Sequence, residues 1–346
     1  MRLTGRKDVG WRFVSELLLL LTVGVFAVAL LFDGHAESAD RSAPGAVKLM
    51  SAGAVLEGGW DGRFGSSDVE GTIYAVAATT NLVYVAGEFT SIGGVSATNV
   101  AVWNGESWSA IGTGTDGPVY AIGVQSSNVY IGGAFSSAGG SGATNIAKWN
   151  GASWTAMDTG FDGPVYAIAI QGTKIYAGGE FGNASETNVA NVAEWNGSQW
   201  QPMGDGVNGP VRAIQVLSTN AVYVGGEFDQ AGGGSALNVA KWSGSAWSAL
   251  GSGVNGPVRA LAAWGTNLCV GGAFALAGGL NAQGVASWNG TAWTTLGTTS
   301  GETPPEIRAL AVSGGSLYAA GRFPDFRGQT VNNIVRWDGS SWQVVG

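Results

Sequence analysis

The chain has 346 residues, of which 59 are glycine, 45% are hydrophobic and 12% are charged, and its net charge is −8 at neutral pH. So much apolar sequence with so little charge excludes a disordered chain, and the glycine count favours many tight turns. The only histidine is His35 and the only cysteine is Cys269. Histidine-based acid–base catalysis, a Cys–His nucleophile, an ordinary zinc site and an intramolecular disulfide are therefore excluded from the body of the chain.

The first 36 residues have the layout of a secretory signal peptide. Basic residues, from Arg2 to Arg12, precede the uncharged 16-residue run Leu17–Phe32, and small residues follow it. The run is slightly short for a membrane-spanning helix. We predict that residues 1–36 are a cleaved signal peptide, with an uncleaved N-terminal anchor as the alternative. Either alternative predicts a secreted, periplasmic or cell-surface protein.

Residues 37–64 are predicted to be a linker with a possible extra strand. The segment is rich in Ala, Ser and Gly, and Trp60-Asp61-Gly62 resembles the hairpin turns found later in the chain. About 35 residues precede the first full repeat, and a complete unit needs more. We interpret these three residues as an added strand or a cap, and residues 65–346 as the repeat domain.

The stretch Gly163–Gly204 defines the repeating unit, which contains four short β-type runs. They are predicted at Val165–Ile170, at Lys174–Phe181, at Asn191–Trp195 and from Trp200 onwards. Each run is rich in β-branched or aromatic residues and is bounded by Gly, Pro or Asn, as strands are. Asn196-Gly197 between the last two runs is typical of a hairpin turn.

The unit occurs six times, and each copy carries two tryptophans. The first tryptophans of successive pairs are 46, 46, 47, 46 and 49 residues apart. A period of this length with four strands per unit predicts an all-β, six-bladed β-propeller with four antiparallel strands per blade and a repeat of about 46 residues. A stacked β-solenoid is the rival, but its coils are usually shorter and lack hairpin turns. The pairs are Trp103/Trp108, Trp149/Trp154, Trp195/Trp200, Trp242/Trp247, Trp288/Trp293 and Trp337/Trp342.

A loop of nine residues separates the second and third strands of every unit. Its length is constant while its Gly-rich content varies, which predicts fixed strand ends and a tolerant rim. The loops are Thr90–Thr98, Ser136–Thr144, Gly182–Ala190, Asp229–Leu237, Ala275–Gln283 and Pro324–Asn332.

The motif formed by Lys174–Gly179, Asn191–Trp195 and Trp200 resembles the kelch repeat, which has a Gly-Gly doublet at the end of strand two and paired aromatics around strands three and four. The wider pattern is similar to repeats of bacterial secreted proteins and of fungal cortical polarity-marker proteins. The resemblance covers roughly residues 71–346 and implies a propeller, but it implies little about function. Trp stands where kelch repeats usually have Tyr. The copper oxidase activity of one kelch-type protein needs His and is not implied.

Most repeated residues are predicted to form the fold. Cys269 fills a slot that is Tyr in the other five units, so it is expected to pack in the core. The Asn that begins the third strand in five units is expected to bond the backbone of the preceding loop, and Gly284 replaces it in unit five. Neither position is predicted to bind a ligand.

The copies differ at the second residue of the first strand, which is Tyr in units one to three and Arg in units four to six. The first strand of a blade normally lies next to the central channel. We therefore predict a half-ring of Tyr and a half-ring of Arg at the channel mouth, with Glu88, Glu180 and Glu227 on the same rim. Arg212 is expected to pair with Glu227, whereas the pattern supplies no acid to the later arginines from their own blades. The candidate binding residues are Tyr74, Tyr120, Tyr166, Arg212, Arg259, Arg308 and Arg322.

Two interpretations of this mouth remain open. Arg forks bind carboxylate or sulfate, and Tyr stacks on sugar rings, so the mouth could bind an anion or a carbohydrate. Alternatively, the arginines pair with acids in neighbouring blades or loops, such as Asp325.

The predicted function is a binding or scaffold module for a protein or a carbohydrate, recognised through the loop face. A lyase or hydrolase using Tyr, Arg and Glu at the mouth is one alternative, and a purely structural surface protein is another. No catalytic motif, metal site or cofactor is predicted. Residues 37–346 carry a net charge of −9, which argues against nucleic acid. A monomer is expected, with membrane attachment only if the N-terminal segment is uncleaved.

Overall fold

The structure is a computed structural model that describes residues 69–296, 305–323, 325–326, 329–331 and 333–345. The predicted signal peptide 1–36 and the linker 37–64, with Trp60-Asp61-Gly62, lie outside these residues. Within the described ranges, no helix is long and apolar enough to cross a membrane.

The described residues form an all-β, six-bladed propeller, and each blade is an antiparallel sheet in the order first, second, third and fourth strand. Every sheet consists of consecutive strands of a single repeat. The first strands of neighbouring blades pack against each other and are therefore innermost. These first strands are Val69–Ala78, Val119–Gln125, Val165–Gln171, Val211–Ser218, Val258–Trp264 and Glu306–Ser313.

The outer three strands of each blade are progressively shorter. The second strands are Val83–Ile92, Asn128–Gly133, Lys174–Gly179, Ala221–Gly226, Asn267–Gly272 and Ser316–Arg322. The third strands are Val100–Trp103, Ile146–Trp149, Val192–Trp195, Val239–Trp242, Val285–Trp288 and Ile334–Trp337. The fourth strands are Trp108–Ala110, Trp154–Ala156, Trp200–Pro202, Trp247–Ala249, Trp293–Thr295 and Trp342–Val344.

Strand ends differ from the sequence prediction for a local reason. The predicted second run continued to Phe181 and the predicted third run began at Asn191. In the structure Asn191 has a left-handed φ of 69°. Its side-chain Oδ1 and its backbone N–H bond the N–H and C=O of Phe181. These two residues therefore bracket the nine-residue loop and lie outside the ladder.

The nine-residue loops are more ordered than the sequence suggested, because most of them contain a two-stranded hairpin. In blade three, Asn183–Ala184 pairs with Thr187–Asn188. In blade one, Val95–Ser96 pairs with the end of the second strand. The other hairpins are Ser137–Ala138 with Ser141–Gly142, Gln230–Ala231 with Gly234–Ser235, Leu276–Ala277 with Leu280–Asn281, and Asp325–Phe326 with Gln329–Thr330.

The core consists of apolar clusters between adjoining blades. Tyr176 and Trp200, for example, are almost fully buried in such clusters. The last blade packs on the first, since Ala309, Ala320 and Ile334 share a cluster with Ile73 of blade one. The ring is therefore closed by side-chain packing between blades one and six.

The Gly-Gly doublet at the end of the second strand allows two close approaches. A Cβ on Gly132 would lie 2.5 Å from Cγ1 of Val165 in the next blade. A Cβ on Gly133 would lie 2.1 Å from the carbonyl oxygen of Pro118, just before the first strand of its own blade. The doublet thus serves packing within and between blades, as the repetition suggests.

Candidate binding site at the channel mouth

The six channel-mouth residues occupy the same special backbone position in each blade. The ladder between the first and second strands shifts register around every one of them, for example between Val119 and Ala121. Such a β-bulge leaves one residue without a ladder partner and re-aims its side chain. The bulged residues are Tyr74, Tyr120, Tyr166, Arg212, Arg259 and Arg308.

The three tyrosine rings contact one another in edge-to-face and tilted arrangements on one side of the propeller ring. The ring centroids of Tyr74 and Tyr120 are 5.3 Å apart, and those of Tyr120 and Tyr166 are 5.6 Å apart. The hydroxyl groups of Tyr74 and Tyr166 donate to Glu88 and Glu180, each at 3.2 Å. The predicted Tyr half-ring and its rim carboxylates are thus brought together.

Tyr120 differs from its two neighbours because Ala134 occupies the rim slot that is glutamate in blades one and three. Among the described residues, its hydroxyl has no hydrogen-bond partner. The middle tyrosine therefore offers a free phenol.

Burial raises the pKa of all three phenols above the usual value for tyrosine. For Tyr74 the negative charge of Glu88 adds to this effect, and for Tyr120 the phenol of Tyr166 and the charge of Glu88 do so. For Tyr166 the cation of Arg212 lowers the pKa and Glu180 raises it, but burial prevails. The three hydroxyls consequently stay protonated at neutral pH and act as hydrogen-bond donors.

Arg212 joins the tyrosine side of the ring to the arginine side. Its guanidinium carbon lies 4.2 Å from the ring centroid of Tyr166, in cation–π geometry. Its Nε donates to Glu227 Oε1 at 3.2 Å, which confirms the predicted pair. The same carboxylate oxygen accepts from Nη1 of Arg259 at 3.1 Å. Glu227 therefore bridges two blades.

A second carboxylate, Glu306, continues the chain of ion pairs. Its Oε1 lies 3.6 Å from Nε of Arg259, and its Oε2 accepts from Nη2 of Arg308 at 3.0 Å. The rim pattern supplies no acid to Arg308 from its own blade, but Glu306, which lies outside that pattern, precedes it by two residues on the same strand. The signal for Glu306 was present in the sequence. It stands where blades two to five have proline.

The arginine half-ring retains excess positive charge and free donors. Three guanidinium groups share two carboxylates, so one positive charge is not compensated. Nη1 of Arg212 and Nε of Arg308 are buried and have no hydrogen-bond partner in the described part of the chain. The interpretation that the arginines pair with acids is thus correct for the contacts present, but these pairs leave one guanidinium of the half-ring without a carboxylate of its own.

Arg322 lies beside this half-ring at the end of the second strand of blade six. Its Cα is the ladder partner of Glu306, and the residue is exposed. It makes no hydrogen bond or ion pair to any residue that the structure describes. The side chain of Asp325, one of the proposed acidic partners, lies outside the described residues.

A groove of about 390 Å³ opens on the same rim, between blades four and five. Glu227 belongs both to this groove and to the arginine ion pairs. The groove is therefore continuous with the channel mouth. Its lining residues are Asn208, Glu227, Phe228, Asp229, Leu237, Asn238 and Pro257.

The other candidates from the sequence are structural. Cys269 is fully buried, and burial raises the pKa of its thiol to about 12, so the thiolate is scarce at neutral pH. Asn99 Oδ1 accepts from the N–H of Phe89, and its Nδ2 donates to the carbonyl of Gly117 on the way to the next blade. The bond was predicted to go to the preceding loop, but it goes to the residue just before that loop and to the entry of the next blade. In the described residues no cluster of three or more His, Cys, Asp or Glu could hold a metal ion.

Comparison of the sequence with protein families gives a match over most of the chain. Residues 63–221 and 203–346 match the model of the Rax2 C-terminal beta propeller domain. The chain belongs to this family. The match shows that the chain is a propeller repeat protein. The resemblance of these Rax2-family repeats to kelch repeats stays a prediction. No curated protein sequence matches the chain.

Solved structures similar to this Rax2-family propeller share little sequence with it. The computationally designed Ika8 protein has a TM-score of 0.52 and 15% identity, covering 90% of this chain and 96% of its own. U3-55K has a TM-score of 0.49 and 15% identity, covering 74% and 80%. The extracellular domain of the hybrid two-component system BT4673 from B. thetaiotaomicron has a TM-score of 0.49 and 12% identity, covering 81% and 34%. At these identities the likenesses concern the fold alone.

Proposed function

We propose that this protein is an extracytoplasmic binding module that holds a protein or glycan partner on the loop face of its propeller. The bulged ring of three tyrosines and three arginines carries this proposal. The bulge accommodates either residue type, since it holds tyrosine in blade three and arginine in blade four. The fold therefore does not impose the difference between the two half-rings. The export-type N-terminal sequence supports a location outside the cytoplasm.

The ligand group that fits the mouth best is a carboxylate or a sulfate. Guanidinium groups bind both through paired N–H donors, and the arginine half-ring holds one positive charge more than its two carboxylates balance. Arg322 adds a further exposed guanidinium beside it. The free hydroxyl of Tyr120 and the tyrosine rings on the other side would contact the rest of the ligand.

We propose binding rather than catalysis. A tyrosine that acts as a base needs a pKa lowered towards neutrality, and the pKa values of Tyr74, Tyr120 and Tyr166 are instead raised by burial. A protonated phenol held against a carboxylate is suited to orient a ligand. No observation on these residues favours a lyase or hydrolase.

The test compares anion binding by the wild type and by the variant Arg259→Ala/Arg308→Ala. Anionic glycans and acidic peptides are arrayed separately, so that the two sources of a carboxylate or sulfate are distinguished. We expect the wild type to bind one of the two arrays and the double variant to lose at least tenfold in affinity. Arg322→Gln should weaken binding without lowering the melting temperature, because this side chain is exposed.

Arg336→Gln is the matched control, since Arg336 is an exposed arginine of the same blade on its third strand. It should bind as the wild type does. Unchanged binding by the double variant, accompanied only by a lower melting temperature, would show that the arginines are structural. If the wild type binds neither array, the mouth is not an anion site.

A further inference from the structure

The described residues contain four exposed large hydrophobic side chains, and three of them lie on the rim of blades four and five. Leu237, Leu276 and Leu280 are 42%, 40% and 48% exposed. The fourth, Val344, is on the outermost strand of blade six. Exposed leucines concentrated in one region of a surface are typical of an interaction site rather than of chance.

One of the three leucines lines the groove between blades four and five, and Leu276 lies on the neighbouring rim hairpin. Leu237 lines it directly. The carbonyl of Leu237 accepts from the N–H of Val254, and the carbonyl of Leu276 accepts from the N–H of Asn255. Leu237 and Leu276 therefore flank the turn that leads to Pro257. Pro257 itself lines the groove on the side opposite to Leu237. Leu280 follows Leu276 in the rim hairpin.

The repeats show that the fold does not need leucine at these positions. The rim loops have the same length, so they align residue by residue. At the position of Leu276, the other blades have Ser91, Ser137, Asn183, Gln230 and Asp325. At the position of Leu237 they have Thr98, Thr144, Ala190, Gln283 and Asn332, and at that of Leu280 they have Val95, Ser141, Thr187, Gly234 and Gln329.

An acidic group lies beside these leucines. Asp229 lines the groove and is exposed, and its Oδ1 accepts from Nδ2 of Asn208 at 2.6 Å. No Lys or Arg of the described residues pairs with it. The aligned position is Thr90, Ser136, Gly182, Ala275 or Pro324 in the other blades, so this carboxylate is specific to blade four.

We propose that the groove between blades four and five docks an extended segment of a protein partner that carries an apolar side chain next to a Lys or Arg. The leucines would cover the apolar side chain, and Asp229 would pair with the cation. The groove offers aliphatic surface without an exposed aromatic ring, which suits a peptide better than a sugar. The proposal rests on the loop face being the binding face, but it does not depend on the anion site at the channel mouth.

The experiment selects peptides from a random display library against the full chain and measures their dissociation constants by fluorescence anisotropy. We expect peptides with an apolar residue beside Lys or Arg. Leu237→Thr/Leu276→Ser, which introduces residues found in other blades, should weaken binding at least tenfold. Asp229→Asn should weaken it several-fold and remove most of its salt dependence. Val344→Thr is the matched control and should bind as the wild type does.

Three outcomes would overturn the proposal. In one, the library yields no peptide, or its peptides bind Leu237→Thr/Leu276→Ser as tightly as the wild type. In another, the selected peptides are acidic and no longer bind the variant Arg259→Ala/Arg308→Ala, which would show that they bind at the channel mouth. In the third, a synthetic peptide of residues 37–64, or a second copy of the chain detected by sedimentation, occupies the groove instead. If the anion test fails but peptide binding is retained, only the proposed anion site at the channel mouth is overturned.

Discussion

At the scale of single residues, small polar side chains replace ladder bonds where the backbone leaves the sheet. Asn145 has a φ of 63°, its Oδ1 accepts from the N–H of Phe135, and its Nδ2 donates to the carbonyl of Phe161. Asparagine tolerates the left-handed region better than most residues and supplies both a donor and an acceptor. Gly284 has a φ of 82° and keeps the backbone geometry without the side chain.

Aspartates at the entry to two blades hold the rim hairpins. Asp116 Oδ1 accepts from the backbone N–H groups of Ser136 and Ser137 at 2.9 and 2.8 Å, and Asp162 does the same for Gly182 and Asn183. Burial raises the pKa of each carboxyl, but hydrogen bonds from the side chains of Ser136 and Asn183, together with these backbone bonds, outweigh it and hold both pKa values below the usual range. Asparagine fills the same slot in blades four and five.

Replacing these aspartates with asparagine should make the protein less sensitive to acid. Because the folded pKa lies below the unfolded one, the stabilisation is present above about pH 4 and is lost as the pH falls through the folded pKa. Asn keeps the acceptor but does not titrate. We expect Asp116→Asn/Asp162→Asn to show a smaller fall in melting temperature between pH 5 and pH 3, measured by circular dichroism (roughly the range in which a carboxyl titrates).

Asp205→Asn is the control for this pH series, because its carboxylate makes no hydrogen bond within the described residues. Its acid sensitivity should equal that of the wild type. A double variant that loses stability at low pH as steeply as the wild type would show that these carboxylates do not hold the rim.

At the scale of elements, the second tryptophan of the pair joins each of blades two to six to the preceding blade. Nε1 of Trp154 donates to the carbonyl of Ile111 at 3.0 Å, and Nε1 of Trp200 donates to that of Met157 at 3.2 Å. The partner tryptophan packs on it, with centroids 5.4 Å apart in the case of Trp149 and Trp154. The two members of a pair therefore look alike in sequence but have different roles.

Trp154→Phe should be more destabilising than Trp149→Phe. Both changes remove part of an indole, but only the first removes the hydrogen bond to the carbonyl of Ile111, which then keeps only the N–H of Gly114 as a donor. A typical intramolecular hydrogen bond contributes about 0.5–1.5 kcal/mol. We expect a difference of that size in the free energy of unfolding, measured by urea denaturation of both variants. Equal losses would show that the tryptophan link contributes packing alone.

At the scale of the whole molecule, blades six and one pack against each other to close the ring, and its two halves carry different chemistry. Blades one to three place tyrosine at the mouth, whereas blades four to six place arginine there. The leucine-bordered groove lies in the arginine half, between blades four and five. Four of the eight Lys and Arg residues that the structure describes therefore lie at one side of one face.

The junction between blades six and one should be as important for stability as any other junction. Ile334 packs against blade one, and Ile146, at the same position of blade two, packs against blade three. Both side chains are almost fully buried. We expect Ile334→Ala and Ile146→Ala each to cost about 2–5 kcal/mol in the free energy of unfolding, measured by urea denaturation. A much smaller cost for Ile334→Ala would mean that the ring opens at this junction.

Much of the architecture could be predicted from the sequence because it repeats. Six tryptophan pairs at a near-constant spacing determine the number of blades, and the Gly-Gly doublets and turn residues determine where strands end. The sequence also identified the six bulged positions, since these are where aligned copies differ. It did not identify the rim hairpins, because their strands are two residues long and too short to show a period.

The tertiary structure decided which of these residues meet. Glu306 and Arg259 are far apart in sequence, but Oε1 of the first lies 3.6 Å from Nε of the second, across two blades. No pattern within one repeat can specify such a contact. The same is true of the groove, whose walls come from blades four and five. A repeat encodes its own sheet through local pairing and turn chemistry. The channel mouth and the groove arise only when the ring closes and brings different copies side by side.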